Sequence, residues 1–413
     1  MESWSRKFHQ QGHQLVHDTS QADLVVVNTC AVTEEAVRKS RKLIRQAHRK
    51  NPNAKLVISG CYASLNPAES FKAVGVDLVV SNQDKEQLVE IVSRELDLNV
   101  MPEIATEPGD LSLLPRNRQR AFIKVQDGCR YQCTFCIVTK ARGDEHSRPI
   151  TSIVEEVNQR HAEGVNEVVL AGVHLGGYGS DIESDLSELI RTVLAETCIP
   201  RVRIGSLEPW DLPDDFPELF SNPRFMPHLH LPLQSGADSV LQRMARRCKV
   251  AEYRQLIDDL RRVVPELSIT TDIIVGFPGE SDEEWQQTLQ VVEAIGFSHI
   301  HIFAYSPRDG TVAATLANPV SREIKRARSQ ALHELGERLK QQALQQAIGQ
   351  QSTLLVESHC DENGDSLWQG YTANFLRAEL AAPADTALKN RLLDIQITGI
   401  SQDGERLLVV KRT

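Results

Sequence analysis

The sequence has no apolar run near the roughly 20 residues that a helical membrane span needs, and its opening, MESWSRKFHQQGHQ, lacks the apolar core of a signal peptide. Membrane insertion and secretion are thereby set aside, and the expected location is cytoplasmic. Low-complexity tracts are missing, and no repeat is found beyond an alternation of strand-like and helix-like segments. Nor is there an excess of positive charge: the net charge is −10, which argues against wholesale coating of nucleic acid. Cysteine is sparse, eight in 413 residues. In a reducing compartment these are expected as ligands or buried thiols, not as disulfides.

What is present is more specific. Basic residues gather at RKSRKLIRQAHRK (Arg38 to Lys50), RNRQR (Arg116 to Arg120) and RMARRCK (Arg243 to Lys249). Such patches on an acidic protein suit docking to a phosphate backbone, although each alone also reads as a solvated helix face. The length exceeds one ordinary core, so several domains are expected. Residues 1–105 alternate ADLVVVNTC, a helical EEAVRKSRKLIRQAHRKN, AKLVISGCY and VDLVV, which predicts a Rossmann-like βαβ domain with a parallel sheet. Cys30 and Cys61 fall at the carboxyl ends of two of its strands, where functional residues collect. A lone cysteine there reads as a small buried residue; two at equivalent ends put shared ligation on a level with that reading.

Residues 106–120 are proline-bearing and without periodicity, so a linker is expected. From 121 to 347 six strand candidates (AFIKVQ, EVVLAGV, RVRIGSLE, HLHLPLQ, SITTDIIVGFP and HIHIFAYS) alternate with helices. Six repeats predict a partial (βα)6 barrel with its chemistry at the carboxyl ends of the strands. Residues 348–413 read as short strands between Gly, Asn and Asp turns, a small β-barrel of the oligonucleotide-binding type.

The loop after the first barrel strand, DGCRYQCTFC, carries Cys129, Cys133 and Cys136. A structural zinc site closes with four protein ligands, and His146 is the one nearby candidate for the fourth. Three thiolates on a cubane cluster leave one iron without a protein ligand. The spacing therefore favours a 4Fe-4S cluster with an open position over a zinc site or a redox pair.

With Phe135 before the last cysteine, the loop resembles the radical S-adenosylmethionine signature. The resemblance runs on through NTCAVT, GCYA, KVQDGCRYQCTFCIV, ARGDEHSRP, SLEP, LHLPLQSG, DIIVGFPGE and YSPRDGT, which follow one another as in the methylthiotransferase family; the segment around GYTANF is similar to that family's RNA-binding TRAM domain. The resemblance implies two 4Fe-4S clusters and S-adenosyl-L-methionine. One cluster, on Cys129, Cys133 and Cys136, drives cleavage of the cofactor to a radical that takes hydrogen from carbon. The second delivers the methylthio group, and Cys30 and Cys61 match two of its ligands. Phe135, Gly172, Glu208, Gln234, Ser235, Asp272 and Arg148 are the implied cofactor contacts, and Arg142 an implied contact to cofactor carboxylate or RNA phosphate. Plain readings compete: a tight turn at Gly172, a solvated acid at Glu208, ion pairs at Arg142 and Arg148. Cys198, Cys248 and Cys360 are expected to be ordinary thiols.

Family members open with a strand ending in a glycine-cysteine pair. This sequence begins with what resembles the following helix, so a third N-terminal cysteine is missing and a lost N-terminal piece is expected. A non-catalytic RNA-binding relative is the alternative of another class. Thr139 and Lys140 also stand where relatives carry proline and an aromatic. Among substrates, the NTCAVT turn and basic helix most resemble the branch that modifies N6-threonylcarbamoyladenosine next to the tRNA anticodon; isopentenyl-adenosine in tRNA and a ribosomal-protein aspartate are the alternatives. Expected partners are the tRNA anticodon loop and an electron donor such as flavodoxin or ferredoxin, with the chain a monomer.

Overall fold

A computed structural model describes residues 1–66, 68–72, 74–96, 119–362, 365–384 and 386–412. Most of the expected 106–120 linker lies outside the described residues. The chain divides into two compact units: Met1–Asn117 with Arg130–Asp144 and Ser306–Ala314, and Arg118–Cys129 with Glu145–Tyr305 and Thr315–Thr413.

In the first unit, β1 (Leu24–Thr29), β2 (Lys55–Gly60) and β3 (Leu78–Val80) form a parallel sheet in that order, with Leu24 beside Lys55 and Val57 beside Leu78. Helix α1 (Glu2–Gln10) buries Trp4 against Val57, Val80 and Leu88. The longer α2 (Glu34–Lys50) starts where the Thr33 hydroxyl accepts the Ala36 N–H at 3.1 Å. Glu34 and Glu35 sit in its first turn and His48, Arg49 and Lys50 in its last, the charge order that a helix dipole favours. Among the described residues β1 is an edge strand. Gly60 ends β2 at φ +100°, and a Cβ there would lie 2.2 Å from the Thr29 carbonyl oxygen; the two strand ends that carry Cys30 and Cys61 thus run in backbone contact.

The second unit holds two parallel sheets, β4 (Arg120–Lys124), β7 (Glu167–Ala171) and β8 (Arg201–Ile204), and β9 (His228–His230), β10 (Ser268–Val275) and β11 (His299–Ala304). A parallel bridge between Ser206 and His230 joins them, so six strands make the expected partial barrel. Its first strand is followed by a two-residue antiparallel pairing of β5 (Gln126–Asp127) with β6 (His146–Ser147). Helices at Ile150–Ala162, Leu186–Glu196, Val250–Val263, Asp282–Ile295 and Arg322–Ala347 bury one face of these strands in a single core that includes Ile123, Leu170, Ile204, Leu229, Ile273 and Ile300.

Strands β12 (Gln351–Glu362), β13 (Asp365–Thr372), β14 (Arg377–Ala381), β15 (Leu392–Ile400) and β16 (Leu407–Lys411) close into a barrel in the order β12-β13-β14-β16-β15. The segment LWQGYTANFLRAEL, read from sequence as one stretch, splits into β13 and β14 at a turn where Phe375 takes φ +69°. That turn sits against the starts of the large-barrel strands. Phe375 stacks on Tyr371 at 4.6 Å, and the Arg120 and Arg203 guanidiniums lie over Tyr371 and Phe375 at 4.6 and 4.7 Å. At the centre, fully buried Glu167 meets Arg120, Arg201 at 3.4 Å and Arg203 at 3.3 Å. The arginines reach on to the small barrel: Arg120 to Glu357 at 2.7 Å, Arg201 to the Thr353 carbonyl at 2.6 Å and Arg203 to the Ala373 carbonyl at 3.0 Å.

Candidate active site

The cysteine loop leaves the large barrel at the end of its first strand. Gln126 fixes its root. Its side-chain N–H group donates to the Asp127 and Gly128 carbonyls at 2.9 Å each, and its Oε1 accepts the Val173 and His174 N–H groups at 2.9 Å each. Every hydrogen-bonding capacity of this buried amide is thereby used. Gly172 is the position that lets this happen, because a Cβ there would lie 2.9 Å from Gln126 Oε1.

Beside Cys129 lies a buried charged group. The ligand atoms of Cys129, Glu145 and His174 fall within 4.8 Å of one another. His174, 1% exposed, is bonded through Nδ1 to Glu145 and through Nε2 to Asp211 at 2.7 Å. Burial pushes this imidazole's pKa down, but the two carboxylates outweigh burial and raise it. The glycine-rich turn after it is required for packing, since a Cβ on Gly177 would lie 2.5 Å from His174 Nδ1. His146, the expected fourth-ligand candidate, is instead 85% exposed and 3.8 Å from Asp181.

In the first unit, Cys133 and Cys136 are half-buried thiols on a turn closed by Cys136 N–H to the Cys133 carbonyl at 3.0 Å, and the Val138 N–H points at Cys136 Sγ from 3.4 Å. Phe135 between them is half-buried. Cys30 is exposed and Cys61 buried. Arg142 brings its Nε to 3.2 Å from Cys61 Sγ, and Asn82 approaches the same sulfur at 3.6 Å. Arg142 thus sits against Cys61. Lys140 donates to the Gly310 carbonyl at 2.5 Å.

The remaining expected contacts separate by environment. Gln234 takes φ +73°, is 8% exposed, and has a buried Oε1 with no partner in the protein. A strained backbone and an unmet acceptor together mark a position shaped for a ligand N–H. Ser235 is fully buried and its hydroxyl meets Thr288 at 3.3 Å, so it packs against the Asp282–Ile295 helix in place of facing the mouth. Glu208 is paired with buried Arg246 at 2.6 Å, and Arg246 lies over Trp210 at 4.3 Å; it is not a solvated strand-end acid. Arg148 is held by Glu156 at 2.7 Å and the Lys124 carbonyl at 2.7 Å. Asp272 pairs with His230 at 3.2 Å. Sequence reasoning passed over Gln126, Glu145, His174 and Asp211; a histidine two residues after the strand-end glycine was the available signal.

A six-stranded partial barrel whose first strand runs on in the chain into a segment bearing three cysteines defines a radical S-adenosylmethionine fold. Its donor set fits an iron-sulfur cluster, because the three are thiols outside the apolar cores. Residues 123–292 match the Radical SAM superfamily and residues 1–81 match the Uncharacterized protein family UPF0004. The chain is 38% identical over 340 residues to the threonylcarbamoyladenosine tRNA methylthiotransferase MtaB of Thermotoga maritima, covering 80% of this chain and 77% of that one. With the Chlamydia pneumoniae protein of the same name it shares 34% over 397 residues, 95% and 90% of the two chains. A tRNA-2-methylthio-N(6)-dimethylallyladenosine synthase of Staphylococcus aureus is 31% identical over 408 residues, 95% and 78% of the two. Among solved structures, the radical S-adenosylmethionine methyltransferase TsrM of Kitasatospora setae, with cobalamin and a [4Fe-4S] cluster bound, matches with a TM-score of 0.54 at 16% identity over 75% of this chain and 68% of that one, a likeness of fold. The chain belongs to the radical S-adenosylmethionine methylthiotransferase family, in its MtaB-like branch. No helix among the described residues is long and apolar enough to cross a membrane.

Proposed function

We propose that this chain transfers a methylthio group to C2 of N6-threonylcarbamoyladenosine next to the anticodon of tRNA. The observation that carries the reading is identity of 34% to 38% along most of the chain to relatives named for threonylcarbamoyladenosine in five bacteria. Nucleoside mass spectrometry of tRNA from a deletion strain tests it: the 2-methylthio derivative of threonylcarbamoyladenosine is expected to vanish while the unmodified precursor accumulates. Loss of the dimethylallyl derivative in its place would shift the assignment to the second reading, which the Staphylococcus aureus relative supports.

In this reading residues 1–105 are the methylthiotransferase N-terminal domain, 121–347 the radical domain and 348–413 the RNA-binding TRAM-like domain. A cluster on Cys129, Cys133 and Cys136, with S-adenosyl-L-methionine, supplies one-electron cleavage and a hydrogen-abstracting radical. The residues around it hold geometry. Gln126 locks the loop root to the turn after β7, His174 between two carboxylates forms its floor, and Gln234 offers an acceptor at the mouth. The basic face of α2, with Arg38, Arg41, Arg45 and Arg49, positions RNA through phosphates, while specific recognition falls on an unstacked loop base. The electron donor is a flavodoxin or ferredoxin, and the chain works as a monomer.

Cys30 and Cys61 hold the second cluster, with the Arg142 guanidinium placed against a thiolate ligand. Changing both cysteines to alanine is expected to lower iron from about eight to about four per chain, to leave 5′-deoxyadenosine formation intact and to stop methylthio transfer. About four irons before and after substitution would mean that these two residues carry no cluster.

A further inference from the structure

The concave face of the second half-barrel carries a group of histidines. Along β10, Ile269, Ile273 and Val275 pack into the helical core, so the two-residue period turns Thr270 and Asp272 to the opposite face. Register sets Thr270 beside His230 and His299, and Asp272 beside His301. Ile300 lies in the core, so His299 and His301 share that concave face.

We propose that His230, Asp272 and His301 bind a divalent transition-metal ion of the zinc class inside the barrel, with open coordination positions that take the carboxylate of the modified base. A ring nitrogen of each histidine and a carboxylate oxygen of Asp272 lie within 4.8 Å of one another. Two ligands of one ion, each about 2.1 Å from it, sit about 3.0 to 3.4 Å apart in octahedral or tetrahedral geometry. His230 Nε2 and Asp272 Oδ1, 3.2 Å apart, already have that spacing. The other nitrogen of His230 meets Thr270 Oγ1 at 2.9 Å, the outer contact that fixes the ring and tautomer of a metal-bound histidine. Thr270 is itself held, at 3.2 Å, by buried His228.

The donor set supports the same assignment. Two imidazoles and one carboxylate on three adjacent strands are a known set for divalent transition ions, and they leave positions for exogenous oxygen donors. The carboxylate assignment rests on the proposed substrate: a threonylcarbamoyl group carries a carboxylate and a dimethylallyl group carries none. A plain hydrogen-bonded His230–Asp272 pair, with His301 a bystander, is the competing account.

The test uses the full chain, anaerobically reconstituted and dialysed against Zn²⁺, with zinc and iron counted in the wild type and in His301→Asn, Asp272→Asn and Thr270→Val. One zinc per chain is expected in the wild type and none in the first two variants, with iron unchanged; Thr270→Val should weaken zinc binding about 10- to 100-fold. No zinc in the wild type, or equal zinc in wild type and His301→Asn, overturns the site. Anticodon stem-loops with and without the threonylcarbamoyl group are then titrated with and without Zn²⁺. Strengthening of about tenfold confined to the modified stem-loop is expected, a difference near 1.4 kcal/mol; equal strengthening of both overturns the carboxylate assignment. Failure of the enzyme to methylthiolate threonylcarbamoyladenosine tRNA would overturn the functional reading and that assignment together, while the zinc count still decides the metal site.

Discussion

Cys129→Ala is expected to abolish 5′-deoxyadenosine formation and methylthio transfer while leaving the chain folded. Cys129 is only partly buried and lies outside the apolar cores, so its loss should change stability by no more than about 0.5 kcal/mol. A cubane cluster held by three thiolates has none to spare, so iron should fall by about four per chain. Cys248→Ala is the control. That thiol packs against the large core, and burial, assisted by Glu252 and opposed by Arg246, pushes its pKa up to about 11. It is therefore an inert structural thiol, and its substitution should leave iron content and deoxyadenosine formation unchanged. Anaerobic incubation with reductant and chromatography of the nucleoside product reads both variants; sustained deoxyadenosine formation in Cys129→Ala would remove the loop from the chemistry.

Glu167→Ala should cost about 3–5 kcal/mol, the range for removing one partner of a buried ion pair. Glu167 is fully enclosed, and its loss leaves Arg120, Arg201 and Arg203 without their common counter-charge. Burial alone would raise this carboxyl's pKa, but Arg203, Arg120 and Arg201 overcome it and hold it to about 2. Because the folded value lies below the ordinary one, this stabilisation is complete above the ordinary carboxylate range and is lost as pH falls toward about 2. Denaturant melts of wild type and Glu167→Gln should therefore draw together as pH falls from about 5 toward about 2. A constant difference across that range would mean that Glu167 contributes through shape and not through charge.

The strands announced themselves through apolar runs, and each of the six predicted for the large barrel is found. The cysteine spacing likewise singled out the loop proposed to hold the cluster. The residues that hold this loop were not legible, because they meet through strand register. Gln126 reaches Val173 and His174 since β4 lies beside β7, and no spacing rule encodes that neighbour. The same holds for Glu167, which in sequence is only an acid at the start of a strand. Ser235, next to a strained and exposed-looking turn, faces the helix because Gln234 takes the left-handed conformation. The turn at Phe375 was hidden since its non-glycine residue gives no breaker signal.

The charged and aromatic seam between the two barrels has a consequence for substrate choice. It joins the small barrel to the starts of the large-barrel strands through the Arg120–Glu357 ion pair, arginine-to-carbonyl hydrogen bonds and guanidinium–ring contacts, not through a tether. A tether would offer RNA at a range of distances and raise only its effective concentration. A fixed seam would offer it at one distance: with tRNA held by the small barrel as proposed, that barrel becomes a gauge block, and the helical stem must have the right length to bring its loop base to the reacting site. Discrimination among RNAs by length and shape then needs no contact with base edges at the gripping end.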